Sequence, residues 1–303
     1  MRKRGWLERA VIIGLALHIT GPDSAAAQSW PIRPLTMVIP FGPGSGIDVL
    51  GRILAPPLSE ILGQQVVVEN VGGAGGMTGT ARVARAVPDG YQFVLGNVGT
   101  HAQNQSLYAR PLYNAAGDFA PVVLIADTPQ VLISRADLPA DNFREFIAYT
   151  KAHEAKMQYG SPGAGSAAHL ACVLVNAAIG VKVTHVPYRG GGPAMQDLIA
   201  GRIDYQCPLI ALAISQIGSK TVKPLAALTR NRSAILPDLA SAHEQGLSNF
   251  EVSTWNAFFL PKGTPPGIVQ KLHDATVTAI NSLAVQERLK QIGAELVPPE
   301  HRS

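Results

Sequence analysis

Residues 40–48 read Pro40-Phe41-Gly42-Pro43-Gly44-Ser45-Gly46-Ile47-Asp48, set between a short apolar strand, Leu35-Thr36-Met37-Val38-Ile39, and a helix opening near Ile47. Three glycines in a strand-to-helix turn let the backbone approach a partner, and bare amides at a helix N-terminus attract an anion. The loop holds no lysine or arginine, so backbone amides must supply the attraction. A second stretch repeats the construction. Gly160-Ser161-Pro162-Gly163-Ala164-Gly165-Ser166 follows the strand Met157-Gln158-Tyr159 and opens a helix at Ala167. Two such loops in different halves of the chain predict a ligand held between two lobes.

Outward from these loops, short strands alternate with amphipathic helices, which implies an α/β fold with parallel strands and helical crossovers. Strands are expected at 35–40, 66–69 and 91–96. The apolar positions Leu50, Ile53, Leu54, Leu58, Ile61 and Leu62 predict a helix stopped by Gly63 and kinked or split at Pro56-Pro57. Two extended runs, 121–127 and 130–134, break at Thr128-Pro129 and suggest a first crossing between lobes. A second α/β unit follows, and 256–260 reads as the return crossing. The four-residue step through Ile268, Leu272, Thr276, Ile280 and Leu283 predicts one final helix, with a strand at 295–297 behind it. The expected lobes are 30–128 plus 253–303, and 129–252.

The start of the chain lies outside this pattern. Arg2, Lys3, Arg4 and Arg9, an apolar run from Ala10 to Ile19, and Ala25-Ala26-Ala27 form a signal-peptide pattern over 1–27. Export to the periplasm as a soluble protein is the reading. The leader carries four basic and two acidic residues, so its removal takes the net charge from +4 to about +2. With no Lys/Arg stripe and 6% aromatic residues, nucleic acid is excluded as a partner. Cys172 and Cys207 are the two cysteines. An oxidising compartment permits a disulfide, but burial as two small apolar residues is the favoured reading.

Enzyme motifs fail inspection. Gly44-Ser45 and Gly165-Ser166 are adjacent pairs and make no G-x-S-x-G elbow. Gly163-Ala164-Gly165-Ser166-Ala167-Ala168 fits a loose dinucleotide pattern but lacks the acidic residue about 20 positions on. Ser166 and His169 share a helix face, and N-capping explains Ser166 better than nucleophilic catalysis. The histidines have no metal-ligand spacing, and no cofactor is indicated. Binding is what survives. Amides and the hydroxyls of Ser45, Ser161 and Ser166 suit a carboxylate, with its two oxygens and about four acceptor sites. Thr100, His101 and Asn104, at the end of the third strand, are candidates for the ligand's far end, with an N-cap at Thr100 as the alternative. Arg189 either reaches the ligand or lies on the surface. Asp204 either accepts from the ligand or holds a loop. Trp255 walls the cleft or, the favoured reading, fills a core.

Together these residues resemble a family. Trp30-Pro31, Arg33-Pro34 and 38–48 look like the opening motif and first carboxylate loop of the Bug-type periplasmic solute receptors of tripartite tricarboxylate transporters. Val66-Val67-Val68-Glu69-Asn70 with Gly73-Ala74-Gly75-Gly76, Pro88-Asp89-Gly90-Tyr91, Gly99-Thr100-His101-Ala102 and Asp118-Phe119-Ala120-Pro121-Val122 follow in family order. Tyr159-Gly160-Ser161 to His169-Leu170 resembles the second carboxylate loop, His185 to Gly190 the next strand end, and Leu236-Pro237-Asp238 with Phe250-Glu251-Val252 and Trp255 complete the run. The resemblance implies a two-lobed class II periplasmic-binding fold with a cleft between lobes. It implies capture of a small carboxylate by Phe41, Gly42, Gly44, Ser45, Gly46 and Asp48 with Ser161, Gly163, Ala164, Gly165, Ser166 and His169. It also implies delivery to membrane permease subunits, by a protein expected to be a monomer and not an enzyme. Ile47 replaces the usual threonine, Pro57 and the segment 205–208 depart from the pattern, and most members carry a final helix beyond the position of Ser303. A sensor subunit for a membrane signalling partner is the alternative function, and an exported serine hydrolase a remote third.

Overall fold

The computed structural model describes residues 30–302, so the leader expected over 1–27 lies outside the described residues. The chain runs β1 (Leu35–Ile39), α1 (Gly46–Leu62), β2 (Val66–Asn70), α2 (Met77–Ala84), β3 (Gln92–Asn97), α3 (Asn104–Leu107) and β4 (Phe119–Pro129). It continues through β5 (Val131–Arg135), α4 (Phe143–His153), β6 (Gln158–Ser161), α5 (Ala167–Ile179), β7 (Thr184–Pro187), α6 (Gly191–Ile199), β8 (Tyr205–Gln206), α7 (Ile210–Gly218) and β9 (Val222–Ala227). Last come β10 (Ser253–Pro261), α8 (Pro266–Asn281), α9 (Leu283–Gln291) and β11 (Glu295–Leu296). Two sheets result, in the orders β11-β4-β10-β3-β1-β2 and β7-β6-β8-β5-β9. The fold is α/β and two-lobed. Among the described residues no helix is long and apolar enough to cross a membrane.

Strand periodicity sends alternate side chains into different cores. Leu35, Met37 and Ile39 of β1 and Phe93 and Leu95 of β3 meet α1 and α8, while Val38 and Val94 face α2. In the second sheet Leu132 of β5 packs with Phe143, Phe146 and Tyr205, and its neighbours Val131 and Ile133 pack with Met195, Leu198 and Ile210. β1 pairs in parallel with β2 and β3, as the alternation predicts, but β10 enters antiparallel between β3 and β4. The returning segment thus makes the first sheet mixed.

Four local expectations are corrected. α1 runs unbroken through Pro56 and Pro57 because Leu50, Ile53 and Leu54 before them and Leu58 and Leu62 after them are buried on one core, while Pro56 points to solvent. β4 continues through Pro129, paired with Ser253, so the chain leaves the first sheet at Gln130 rather than at Thr128-Pro129. The final helix is two helices, broken at Ser282, which turns to extended backbone and caps α9 by accepting from the Val285 amide. Cys172 and Cys207 form a disulfide. α5 lies over β8 and sets their Cα atoms 5.5 Å apart, within bridging range.

Candidate functional site

α1 and α5 begin in the same way. Ser45 (φ −69°, ψ 156°) caps α1, its hydroxyl accepting from the Asp48 amide, and Ser166 (φ −70°, ψ 154°) caps α5, accepting from the His169 amide. The fourth amide of each helix, on Val49 and on Leu170, donates to the cap residue's carbonyl. That leaves the first two amides of each helix, on Gly46 and Ile47 and on Ala167 and Ala168, without a partner among the described residues. All four residues, with both serines, line one cavity of about 40 Å³ at the carboxyl ends of β1, β3, β6 and β8. Four free amides and the N-termini of two helices therefore belong to one cavity, a setting that favours an anion.

No lysine, arginine, histidine, aspartate or glutamate lines this cavity. The aspartate and histidine at the starts of the two helices do a different job. Asp48, buried, accepts from the Gly44 amide (2.8 Å), from Arg52 Nε (3.0 Å) and from Asn70 Nδ2 (2.8 Å). His169 stands at the matching place in α5, and its Nδ1 accepts from the Gly165 amide at 3.3 Å. In each loop a side chain at the third helical position holds the amide just before the cap. Burial lowers the His169 pKa below the usual histidine value, which keeps the ring neutral and able to accept. Ser161 is a brace as well: its hydroxyl bridges the Gly163 backbone and His185 Nε2 (2.7 Å), and burial, then the neighbouring His169, brings His185 down to about 4.

The loops meet through bare backbone. A methyl on Gly190 would lie 3.2 Å from Gly42 Cα, one on Gly72 2.8 Å from the Arg189 carbonyl oxygen, and one on Gly75 2.1 Å from the Ala164 carbonyl oxygen. Tyr108 Oη donates to that same Ala164 oxygen at 2.6 Å, and Asn104 Nδ2 donates to the Gly75 carbonyl. The loops at the ends of the two sheets are in contact along this seam.

Of the residues singled out from sequence, Phe41, Ser45, Gly46 and Ser166 line the cavity. Gly42, Gly163, Ala164, Gly165 and Asn104 lie in the seam beside it, and Gly44, Asp48, Ser161 and His169 brace the loops. The other candidates for the far end are elsewhere. Thr100 is fully buried and bonded to Asn97, with the Tyr113 hydroxyl on its carbonyl. His101 turns back into its own lobe, stacked on Phe259 at 3.7 Å between centroids, and burial lowers it to about 3. Arg189 offers its carbonyl to the seam while its side chain is exposed. Asp204 pairs with Arg135 Nε (2.9 Å) and the Gln158 amide, at the end of β6 remote from the cavity. Trp255, half-buried, lines a separate groove with Pro121, Phe259 and Arg302.

Sequence reasoning missed Ile47, Ala167 and Ala168, whose amides count rather than their side chains; the rule that a capping serine leaves the next two amides free could have found them. It also missed Gln206, Pro208, Leu209 and Leu212 on the cavity wall.

A family model described as "Tripartite tricarboxylate transporter family receptor" matches residues 50–303. The chain belongs to this family. Among solved structures, this receptor is similar to the periplasmic binding protein BugD, with 40% identity and a TM-score of 0.86 over 88% of this chain and 89% of that one. It is similar to MatC (Rpa3494) from Rhodopseudomonas palustris with bound malate, at 35% identity and a TM-score of 0.87 over 90% and 93%. Rpa4515 of R. palustris with adipate gives 34% identity and a TM-score of 0.85 over 88% and 89%. The receptor is thus of the Bug type, and its relatives are periplasmic solute-binding proteins rather than enzymes.

Proposed function

We propose that the protein is an exported periplasmic receptor that closes on a small carboxylate and delivers it to the membrane permease subunits of a tripartite tricarboxylate transporter. It works as a monomer without catalysis. One carboxylate group sits on the amides of Gly46, Ile47, Ala167 and Ala168 with the hydroxyls of Ser45 and Ser166. The lobes are 30–128 plus 253–303, and 129–252, moving about Gln130 and the start of β10. The observation that carries the reading is the convergence of four unpartnered amides from two helix ends on one cavity. The malate and adipate held by two similar proteins support the ligand class.

Ala167→Pro tests it. Proline is well suited to the first helical position, and Ser166 already has the extended backbone that proline demands of its predecessor. The substitution deletes one anion-facing N–H and puts a ring carbon in its place. A charge-assisted hydrogen bond contributes roughly 1.5–3 kcal/mol, so affinity should fall tenfold or more in titration calorimetry while the melting temperature without ligand holds. Undiminished affinity for a proven carboxylate ligand would place the anion elsewhere.

A further inference from the structure

One part of the cavity wall belongs to neither anion-holding helix. Residues 207–209 run from β8 to α7, and Pro208 and Leu209 line the cavity. At its first residue this segment is bonded to α5, since Cys207, fully buried, is joined to Cys172. Cys172 stands one helical turn beyond Ala168 and on the same face of α5, so the bridge lies directly beneath a residue of the cavity wall. Pairing of β8 with β6 stops at Gln206, and beyond it the bridge is the bond that ties the segment to α5. At its last residue the segment abuts α1. A methyl on Gly46, the first residue of that helix, would lie 2.7 Å from Leu209 Cβ, an atom that moves only with its backbone. Between the two contacts, Gln130 Nε2 donates to the Cys207 carbonyl and the Val131 amide to the Pro208 carbonyl. Three residues therefore span from one anion-directed helix to the other.

We propose, resting on the carboxylate reading above, that the Cys172–Cys207 bridge and residues 207–209 form a spacer, a set of positioning residues that fixes how far apart the starts of α1 and α5 stand when both hold one anion. Spacing matters because a hydrogen bond near 2.9 Å is lost when stretched by roughly 0.7 Å. With the segment pinned to α5, the place of Leu209 limits how closely Gly46 and Ile47 approach Ala167 and Ala168. The bridge thus acts on affinity through geometry, over and above its effect on stability.

A double-mutant cycle separates the two effects. Gly46→Ala keeps its amide and sets a methyl 2.7 Å from Leu209 Cβ, where ordinary contact begins at 3.4 Å. Titration calorimetry would use a panel of malate, succinate, glutarate and adipate. With the bridge in place, Gly46→Ala should weaken the tightest of these about tenfold, as for one charge-assisted bond. In Cys172→Ala/Cys207→Ala the segment can yield, and the same substitution should cost about threefold or less. The bridge-less receptor should itself bind several-fold more weakly than wild type, at a temperature where circular dichroism shows it folded. Leu138→Ala is the control for stability alone. Leu138 is buried in the same core but follows Arg135, at the end of the sheet remote from the cavity, so this variant should melt lower and bind as wild type does. Leu209→Gly tests the other end of the spacer with the bridge intact, and in that background the cost of Gly46→Ala should vanish. An equal cost of Gly46→Ala in all three backgrounds, or full affinity in the bridge-less receptor, overturns the spacer and leaves the carboxylate site standing. Binding of none of the four acids by wild type overturns the function proposed above as well.

Discussion

Gly75→Ala should prop the receptor open. The added methyl would lie 2.1 Å from the Ala164 carbonyl oxygen and 3.1 Å from its carbon, both in the opposite lobe. Ordinary contact begins at 3.4 Å, so the lobes must part there by a little over 1 Å. A hydrogen bond of about 2.9 Å stretched by that much no longer functions. The anion would keep the amides of one helix and lose those of the other. Two charge-assisted bonds at roughly 1.5–3 kcal/mol each amount to a loss of about a hundredfold at least. Gly75 also sits at φ +62°, where alanine is strained by about 1 kcal/mol whatever the space. Gly44 supplies the control, since it has φ +75° with nothing within 4 Å of a methyl, and its amide is already held by Asp48. Gly44→Ala should therefore lose comparable stability and keep its affinity within a few fold. Calorimetry with the tightest carboxylate of the panel, and X-ray scattering with and without it, distinguish the two. If Gly75→Ala binds like wild type and contracts like wild type on saturation, the seam is not the closed state.

Three further outcomes are expected. Removing the Cys172–Cys207 bridge, which closes a 35-residue separation, should cost about 4 kcal/mol on the chain-entropy estimate and lower the melting temperature on the order of 10 °C, read by calorimetry of Cys172→Ser/Cys207→Ser. His101 and His185 are held neutral in the fold, at about 3 and about 4, against 6.5 in an ordinary environment. Between those values and 6.5 the unfolded chain binds the extra protons, so stability should fall as the pH drops from 6.5 towards 4, and denaturation of His101→Phe should show a shallower fall. Asp127 is raised by burial and then by Glu251. Its ionised form opposes folding, so Asp127→Asn should melt higher than wild type at pH 7, with the difference fading as the pH falls through the carboxylate range. An unchanged or lower melting temperature at pH 7 would contradict that.

Much of the lobe architecture was legible because it is local. The alternation around β1, α1, β2 and β3, the caps at Ser45 and Ser166, and the stop at Gly63 are each written within a few residues. The site was legible only to the loop. Both loops were read as anion-directed, and both line the candidate cavity, but glycine content drew attention to Gly44 and Gly163, whose amides are bound inside their own loops by Asp48 and Ser161. The far wall was hidden for another reason. β8 is two residues long, and Gln206 reaches the cavity only because β8 lies between β5 and β6. No spacing in the chain announces such a neighbour. The disulfide was underrated on the same ground, since α5 and β8 are brought together by the second core rather than by sequence distance. His101 misled because a strand end usually faces the ligand, whereas here the turn at Gly99–Gln103 directs the ring back onto Phe259.

On the function proposed above, the matching starts of α1 and α5 make the receptor bivalent towards a single anion. Each lobe alone holds half a site, two amides and a hydroxyl, too little for tight capture. Once one half is engaged, the other acts at an effective concentration set by the strands that tether it, in the way a linker sets avidity. One tether passes through Gln130, which is fully buried, donates to the Cys207 carbonyl and accepts from the Leu228 amide. Substitutions there should change how often the second half-site is presented without altering what it recognises. Affinity and selectivity are then separable quantities in this fold, one adjusted at the tether and the other at the cavity wall.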